Sequence, residues 1–208
     1  MIRNRLAELL FERDIKIVRI SKETGISRNT ITNTASNNSE MLQMNTINKI
    51  CRYLDITPCE FFDYIPIDID VTFYEDDKID IVDDWSLDSG EYRIKFDVDL
   101  LLDIDIEGRK QKIDSKIIVE NTVITSFPFQ DIMLSIQTND TQMQELISIF
   151  NTIPKEFKKL IYKNLIERYK EFILEHIDPN DALDSLTYKY HLIDGATFVI
   201  TNDFLKYY

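Results

Sequence analysis

Between Ser21 and Asn33 the chain reads SKETGISRNTITN. Ser21, a small residue, stands four positions before Gly25. The β-branched Ile31 stands six positions after it, with polar residues between. Two short helices around a tight turn fit that spacing. Ile26 and Ile31 would anchor the second helix to a core. Arg28, Asn29, Thr32 and Asn33 would point outward, and Arg and Asn carry the paired donors and acceptors that match base edges.

Other residues with chemical potential are less persuasive. Asp97, Asp99, Asp103 and Asp105 alternate along one strand-like segment and could face a divalent ion. Alternate residues on a strand stand ~7 Å apart, and cation sites usually draw ligands from a loop or several elements. A solvated, aggregation-resistant sheet face is the expectation. The two histidines, His176 and His191, fall in different elements without ligand partners. Cys51 and Cys59 sit in apolar helical pattern without a CxxC pair, as buried reduced thiols would. The sequence contains no HExxH, P-loop or GxSxG. No catalytic residue, metal or cofactor is expected.

The 208 residues carry a net charge of -13, an odd figure for a chain with a face suited to base edges. The charge is uneven. Up to Pro66 there are nine basic and eight acidic residues; from Ile67 onward there are 15 basic and 29 acidic. The first part is near neutral and the acidity belongs to the second. Local cations near phosphates, not the average charge, decide binding. The N-terminus lacks the apolar core of a signal peptide, and the apolar runs are too short to span a bilayer. The expected location is cytoplasmic.

The elements that must position the polar face are short helices. Helix 1 is predicted from Ile2 to Arg13, with Leu6, Leu9 and Leu10 as its stripe. Helix 2 is predicted over Ile17–Thr24, with Val18 and Ile20 inward and Ser21 small where the next helix crosses. Gly25 can take the left-handed conformation at its end. Ser27 suits the N-cap of helix 3, Arg28–Ala35. Helix 4 is predicted over Thr46–Leu54 with Asn45 as N-cap. A fifth helix opens with the capping box Thr57/Glu60 and Pro58 at its first position. Phe61 and Phe62 would close the core.

Residues 2–65 resemble the Cro/lambda-repressor-type helix-turn-helix, or XRE, family. The matching pieces are NRLAELL, Ser21-x-x-x-Gly25, ISRNTI and NTINKICRYLDITPCEFF. The resemblance implies that Arg28, Asn29, Thr32 and Asn33 touch base edges. Arg can grip guanine O6 and N7, Asn can pair with adenine N6 and N7, and Thr can take a thymine methyl or a phosphate. Ser27 and Thr30 are better placed for phosphate, as are Asn45 and Thr46 at the start of helix 4. Lys16, Arg19 and Lys22 would add charge contacts. Two departures affect phosphate contacts: Ile17 stands where the family often has Gln, and Ala35-Ser36-Asn37 where it often has Glu-Asn-Gly. Asn37 can still adopt the left-handed conformation.

The fold class expected is multidomain: an all-α five-helix DNA-binding domain over residues 1–66, then an α+β domain over 67–208, an antiparallel sheet with helices. Period-two alternation runs from Tyr92 to Glu107, with IDVTFYE and KIDIVDD as earlier strands. Gly108 begins a turn, Lys112–Val119 returns, and TVITSF and DIMLSIQ continue a meander of five or six strands. TQMQELISIFNT and a long helix capped by Thr152, with Pro154 near its start, follow. Apolar residues on more than one stripe of the long helix predict burial on two sides, centrally or at a subunit interface. TFVIT and FLKYY end the chain.

Repressors of the lambda type often carry a self-cleaving protease domain, but no Ala-Gly or Cys-Gly scissile pair exists here. Assembly or sensing remains for the second domain. The expected function is a sequence-specific repressor of the phage or mobile-element kind. It would bind a palindromic operator in double-stranded DNA as a homodimer or higher homo-oligomer. An inducer or antirepressor protein is a further partner, and no membrane is. An antitoxin-like, partner-capturing regulator is the alternative. A nucleic-acid enzyme using the carboxylate row stands third.

Overall fold

A computed structural model describes residues 1–39, 41–74, 92–93, 97–120, 123–124, 131–176 and 195–206. The chain divides into two compact units, Met1–Pro66 and Ile67–Tyr208.

In the first unit, α1 (Leu6–Glu12), α2 (Ile17–Thr24), α3 (Arg28–Ala35), α4 (Met44–Leu54) and α5 (Pro58–Phe61) enclose one core. Leu6, Leu9, Leu10, Ile20, Ile31, Ile50, Leu54 and Phe61 are buried there, with Phe62 packed against it. The first helix is shorter than its apolar row predicts. Residues Ile2–Asn4 form a strand, β1, antiparallel to β2 (Phe62–Tyr64). The ribbon gives β1 backbone partners that helix would otherwise supply. It also buries Arg3, whose guanidinium pairs with Glu8 and Asp63. Arg13 caps the end of α1 instead of continuing it, and its side chain donates to the Leu54 carbonyl.

Three further expectations need correcting. Val18 is 52% exposed; only Ile20 of the predicted inward pair is buried. α4 starts two residues early, with Gln43 at the N-cap, because the Ile47 N–H already bonds the Gln43 carbonyl at 3.1 Å. Leu42, just before that cap, packs on the same core as Ile47, a staple-like arrangement that fixes the entry without an Asn cap. Cys51 is buried but Cys59 is exposed; both are free thiols. The capping box forms: the Glu60 carboxylate accepts from the Thr57 N–H and hydroxyl, each at 2.8 Å.

The second unit is built on a five-stranded sheet. β3 (Ile67–Tyr74) comes first in the chain. β4 (Tyr92–Arg93) pairs with β7 (Val123–Ile124) apart from that sheet. β5 (Val98–Ile106), β6 (Arg109–Val119), β8 (Ile132–Gln137) and β9 (Phe198–Ile200) complete the spatial order β3-β5-β6-β8-β9. Glu107 and Gly108 both take positive φ in the β5–β6 turn. All pairings in this sheet are antiparallel except β8–β9, which is parallel. The predicted meander therefore ends at β8, and α6 (Asp140–Thr152) and α7 (Lys155–Glu175) form the crossover to β9. The predicted strand at 78–84 lies outside the described residues, as does His191.

α6 is capped by Asn139, whose side chain accepts from the Gln142 N–H. Thr152 belongs to the end of α6, not to the start of α7; its hydroxyl donates back to the Ile149 carbonyl, and Pro154 takes the cap position of α7. The buried residues of α7 are Phe157, Ile161, Leu165, Tyr169 and Ile173, every fourth residue. They make one stripe, not two, with Leu160, Ile166 and Phe172 only half-buried on its flanks. Tyr169 lies 5.8 Å from the Phe73 ring of β3 and 5.7 Å from the Phe198 ring of β9, centroid to centroid. Edge strands of a flat five-stranded sheet would stand ~19 Å apart. The sheet is therefore curled, and one ring touches both of its edges.

Candidate nucleic-acid interface

The turn between α2 and α3 is built by local chemistry. Gly25 has φ +69, and its N–H closes on the Ser21 carbonyl at 3.0 Å. Ser21 does more than leave room, since its hydroxyl donates to the Ile26 carbonyl at 2.7 Å. Ser27 caps α3 by accepting from the Thr30 N–H at 3.1 Å. Ile26 and Ile31 are buried and hold the helix to the core. With those positions fixed, 100° per residue turns Arg28, Asn29, Thr32 and Asn33 out, and all four are exposed.

The predicted phosphate-binding residues scatter around that face. Lys16, Arg19 and Lys22 are exposed on and just before α2. Ser27 and Thr30 are exposed, but their hydroxyls bond each other at 2.8 Å. Their first duty is thus the helix cap. Asn45 is exposed and Thr46 half-buried, both inside the first turn of α4 and not before it. The N–H groups of Met44, Asn45 and Thr46 head that helix and have no intrahelical carbonyl to meet. Gln43 and the exposed Met44 join this edge; the apolar Leu42 just ahead of them was the signal in the sequence for the earlier start.

Cations near the turn are distributed by use. Arg3 and Arg5 are drawn to Glu8 and Asp63, and Arg13 to the Leu54 carbonyl. Burial disfavours the Glu8 charge, but bonds from Arg3 and then Arg5 outweigh it and hold its carboxyl below the ordinary range. Lys16, Arg19, Lys22, Arg28, Lys49 and Arg52 stand outside those contacts, exposed on α2, α3, α4 and the approach to α2.

The acidic residues of the second unit form a different surface. Asp99 pairs across the strands with Lys116 at 2.9 Å, and Asp103 with Lys112 at 3.3 Å. On the other side, Asp103 stands opposite Asp70, and Asp105 opposite Asp68. Leu101 shares this face yet is buried. Among the described residues no three His, Cys, Asp or Glu side chains gather as a metal site. His176 stacks on Phe172 at the end of α7, with Nδ1 2.7 Å from the Phe172 carbonyl oxygen. A cleft of about 840 Å³ opens beside the Asp99–Lys116 pair, walled by Tyr74, Asp114, Gln137 and Gln142.

A turn closed by a left-handed glycine, a capped second helix with a polar outward face and three supporting helices define a helix-turn-helix DNA-binding domain. Residues 5–66 match the family model of the Cro/C1-type HTH DNA-binding domain, and this segment is a domain of that type. A crystal structure of "a putative DNA-binding protein from Bacteroides fragilis" is similar at 25% identity, covering 30% of this chain and 100% of its own, with a TM-score of 0.28. No curated protein matches the chain. Among the described residues no helix is long and apolar enough to cross a membrane.

Proposed function

We propose that the chain is a sequence-specific transcriptional repressor of the kind found in phages and mobile elements. It binds a palindromic operator through α3. Arg28, Asn29, Thr32 and Asn33 read bases, while Lys16, Arg19, Lys22, Ser27, Thr30, Asn45 and Thr46 hold phosphates. The observation that carries this reading is the exposed row on α3, set by Gly25, Ser27 and Ile31 within a Cro/C1-type domain. The two compact units act as separate domains, and the protein works in the cytoplasm without catalysing a reaction. One small domain grips weakly, and dimerisation through residues 67–208 multiplies affinity through effective concentration. The two half-sites then lie about one helical turn apart. An inducer or antirepressor that binds the second domain shifts the assembly equilibrium.

Selection of full-length protein against random duplex DNA tests this reading. Enrichment of one palindrome is expected. Arg28→Ala then weakens binding to it by ~1–3 kcal/mol and relaxes one base position. An unenriched pool, or unchanged affinity in the variant, overturns the assignment. The opposed carboxylates Asp70/Asp103 and Asp68/Asp105 favour one second reading, an antitoxin-like regulator that captures a cationic partner on this face. Full operator binding and normal assembly by a chain cut at Ile67 would move the weight to that reading.

A further inference from the structure

The C-terminal end of α3 is held by a side chain from the other end of the unit. Asn4 lies in β1 and is buried, as is Thr34 in the last turn of α3. Asn4 Nδ2 donates to the Thr34 carbonyl at 2.7 Å, and to Asn37 Oδ1 at 2.7 Å. The Asn4 backbone N–H donates to the same Asn37 Oδ1 at 2.7 Å, and Asn37 Nδ2 returns a bond to the Asn4 carbonyl at 3.0 Å. Asn4 Oδ1 accepts from the Leu6 N–H at 3.1 Å. The amide of Asn4 is thus fully engaged with α1, α3 and the loop after α3. Asn37 turns its amide back by adopting φ +55. The Thr34 carbonyl, in the last turn of α3, accepts from the Asn37 N–H at 3.0 Å as well as from Asn4 Nδ2, so β1 and the loop after α3 converge on the end of the helix.

Resting on the proposed reading of α3, we infer that Asn4 and Asn37 are positioning residues for DNA recognition. Through them the β1–β2 ribbon fixes the pitch of α3 at its C-terminal end, where Thr32 and Asn33 stand. The N-terminal end, with Arg28, is fixed separately by the Ser27 cap and the buried Ile26 and Ile31. An eight-residue helix is ~12 Å long, so a tilt of about 5° pivoting on one end moves the other by roughly 1 Å. That displacement takes a paired hydrogen bond to a base edge out of its distance window. Loss of the lock therefore alters reading by Thr32 and Asn33 more than reading by Arg28.

The test compares selected base preferences of the full-length chain with those of Asn37→Gly, Asn4→Ala, Asn33→Ala and Arg28→Ala. Asn37→Gly keeps the left-handed backbone accessible and removes only the amide. Its preference should flatten at the base positions that Asn33→Ala flattens, and stay sharp where Arg28→Ala flattens. Operator affinity should fall at least ~10-fold while affinity for unrelated duplex changes less than ~2-fold. A role confined to stability predicts instead an unchanged preference, or a uniform loss on operator and unrelated duplex; either outcome overturns the inference. If Asn4→Ala unfolds the first unit, Asn37→Gly alone decides. A selective wild type with an unchanged Asn37→Gly profile sinks only the positioning role, whereas an unselective wild type sinks the proposed function as well.

Discussion

Replacing Gly25 by alanine isolates what holds the turn between α2 and α3. A Cβ built on Gly25 meets no atom within 4 Å, so the substitution creates no clash. What remains is backbone: φ +69 and ψ 15 lie in the left-handed region, which costs an L-residue about 1–2 kcal/mol. Alanine also restricts the unfolded chain, which returns about 0.4–1 kcal/mol. The net loss should be about 1 kcal/mol, and less for Gly25→Asn, since Asn visits this region more readily. Hydrogen exchange on peptides spanning residues 17–35 of the full-length protein reads this directly. An opening free energy lower by about 1 kcal/mol speeds exchange about fivefold. Because the folded geometry is retained, operator affinity should change little. A loss above about 3 kcal/mol, or equal losses for alanine and asparagine, would refute the assignment of the cost to backbone conformation.

Other outcomes follow from specific contacts. Glu8 has its folded pKa held below the ordinary glutamate value, despite burial, by the guanidinium of Arg3 and then of Arg5. Its contribution is therefore present above the unfolded pKa and is lost as pH falls through the depressed folded one. Glu8→Gln should flatten the acid limb of first-unit stability below the ordinary glutamate range in a pH series of melts. Tyr169→Ala removes the ring shared by both sheet edges and should cost ~3–5 kcal/mol, seen by calorimetry, while exchange in α2 and α3 stays unchanged. Burial, with the Asp97 charge adding, pushes the Tyr169 phenol well above its ordinary value, so the ring stays neutral at physiological pH. Lys116→Ala breaks a partly exposed cross-strand pair and should cost less than ~1 kcal/mol, with a dependence on salt.

The parts legible in the sequence were those fixed within a few residues. Gly25, Ser27 and Ile31 specify the turn, the cap and the inward side of α3 with no help from distant chain, and the exposed row follows from helical period. β1 was hidden because its partner, residues 62–64, lies some 60 positions away and the leucines after it continue a helical pattern. The Asn4–Asn37 lock was hidden for the same reason. The start of α4 was misplaced because Asn45 and Thr46 look like a cap, whereas packing of Leu42 decides the entry. In the second unit, alternation marked which residues face inward on β5 and β6. It carries no information on the direction of a neighbour, so the parallel pairing of β9 did not show. The long helix looked two-sided because its apolar residues are numerous, yet only the i, i+4 set is fully buried.

That parallel strand has a consequence for how the chain is made. Ile132 of β8 pairs with Phe198, 66 residues later, so the sheet gains this strand only after 66 further residues have been made. Until then β8 offers an open hydrogen-bonding edge, and Ile132, Leu134 and Ile136, fully covered in the finished unit, lack their neighbour. Tyr169 meanwhile has Phe73 but not Phe198 to pack against. The DNA-binding unit, by contrast, is closed once β2 has emerged. A ribosome that stops short of residue 198 thus releases a finished DNA-binding unit attached to an adhesive sheet edge, the kind of edge through which incomplete chains associate.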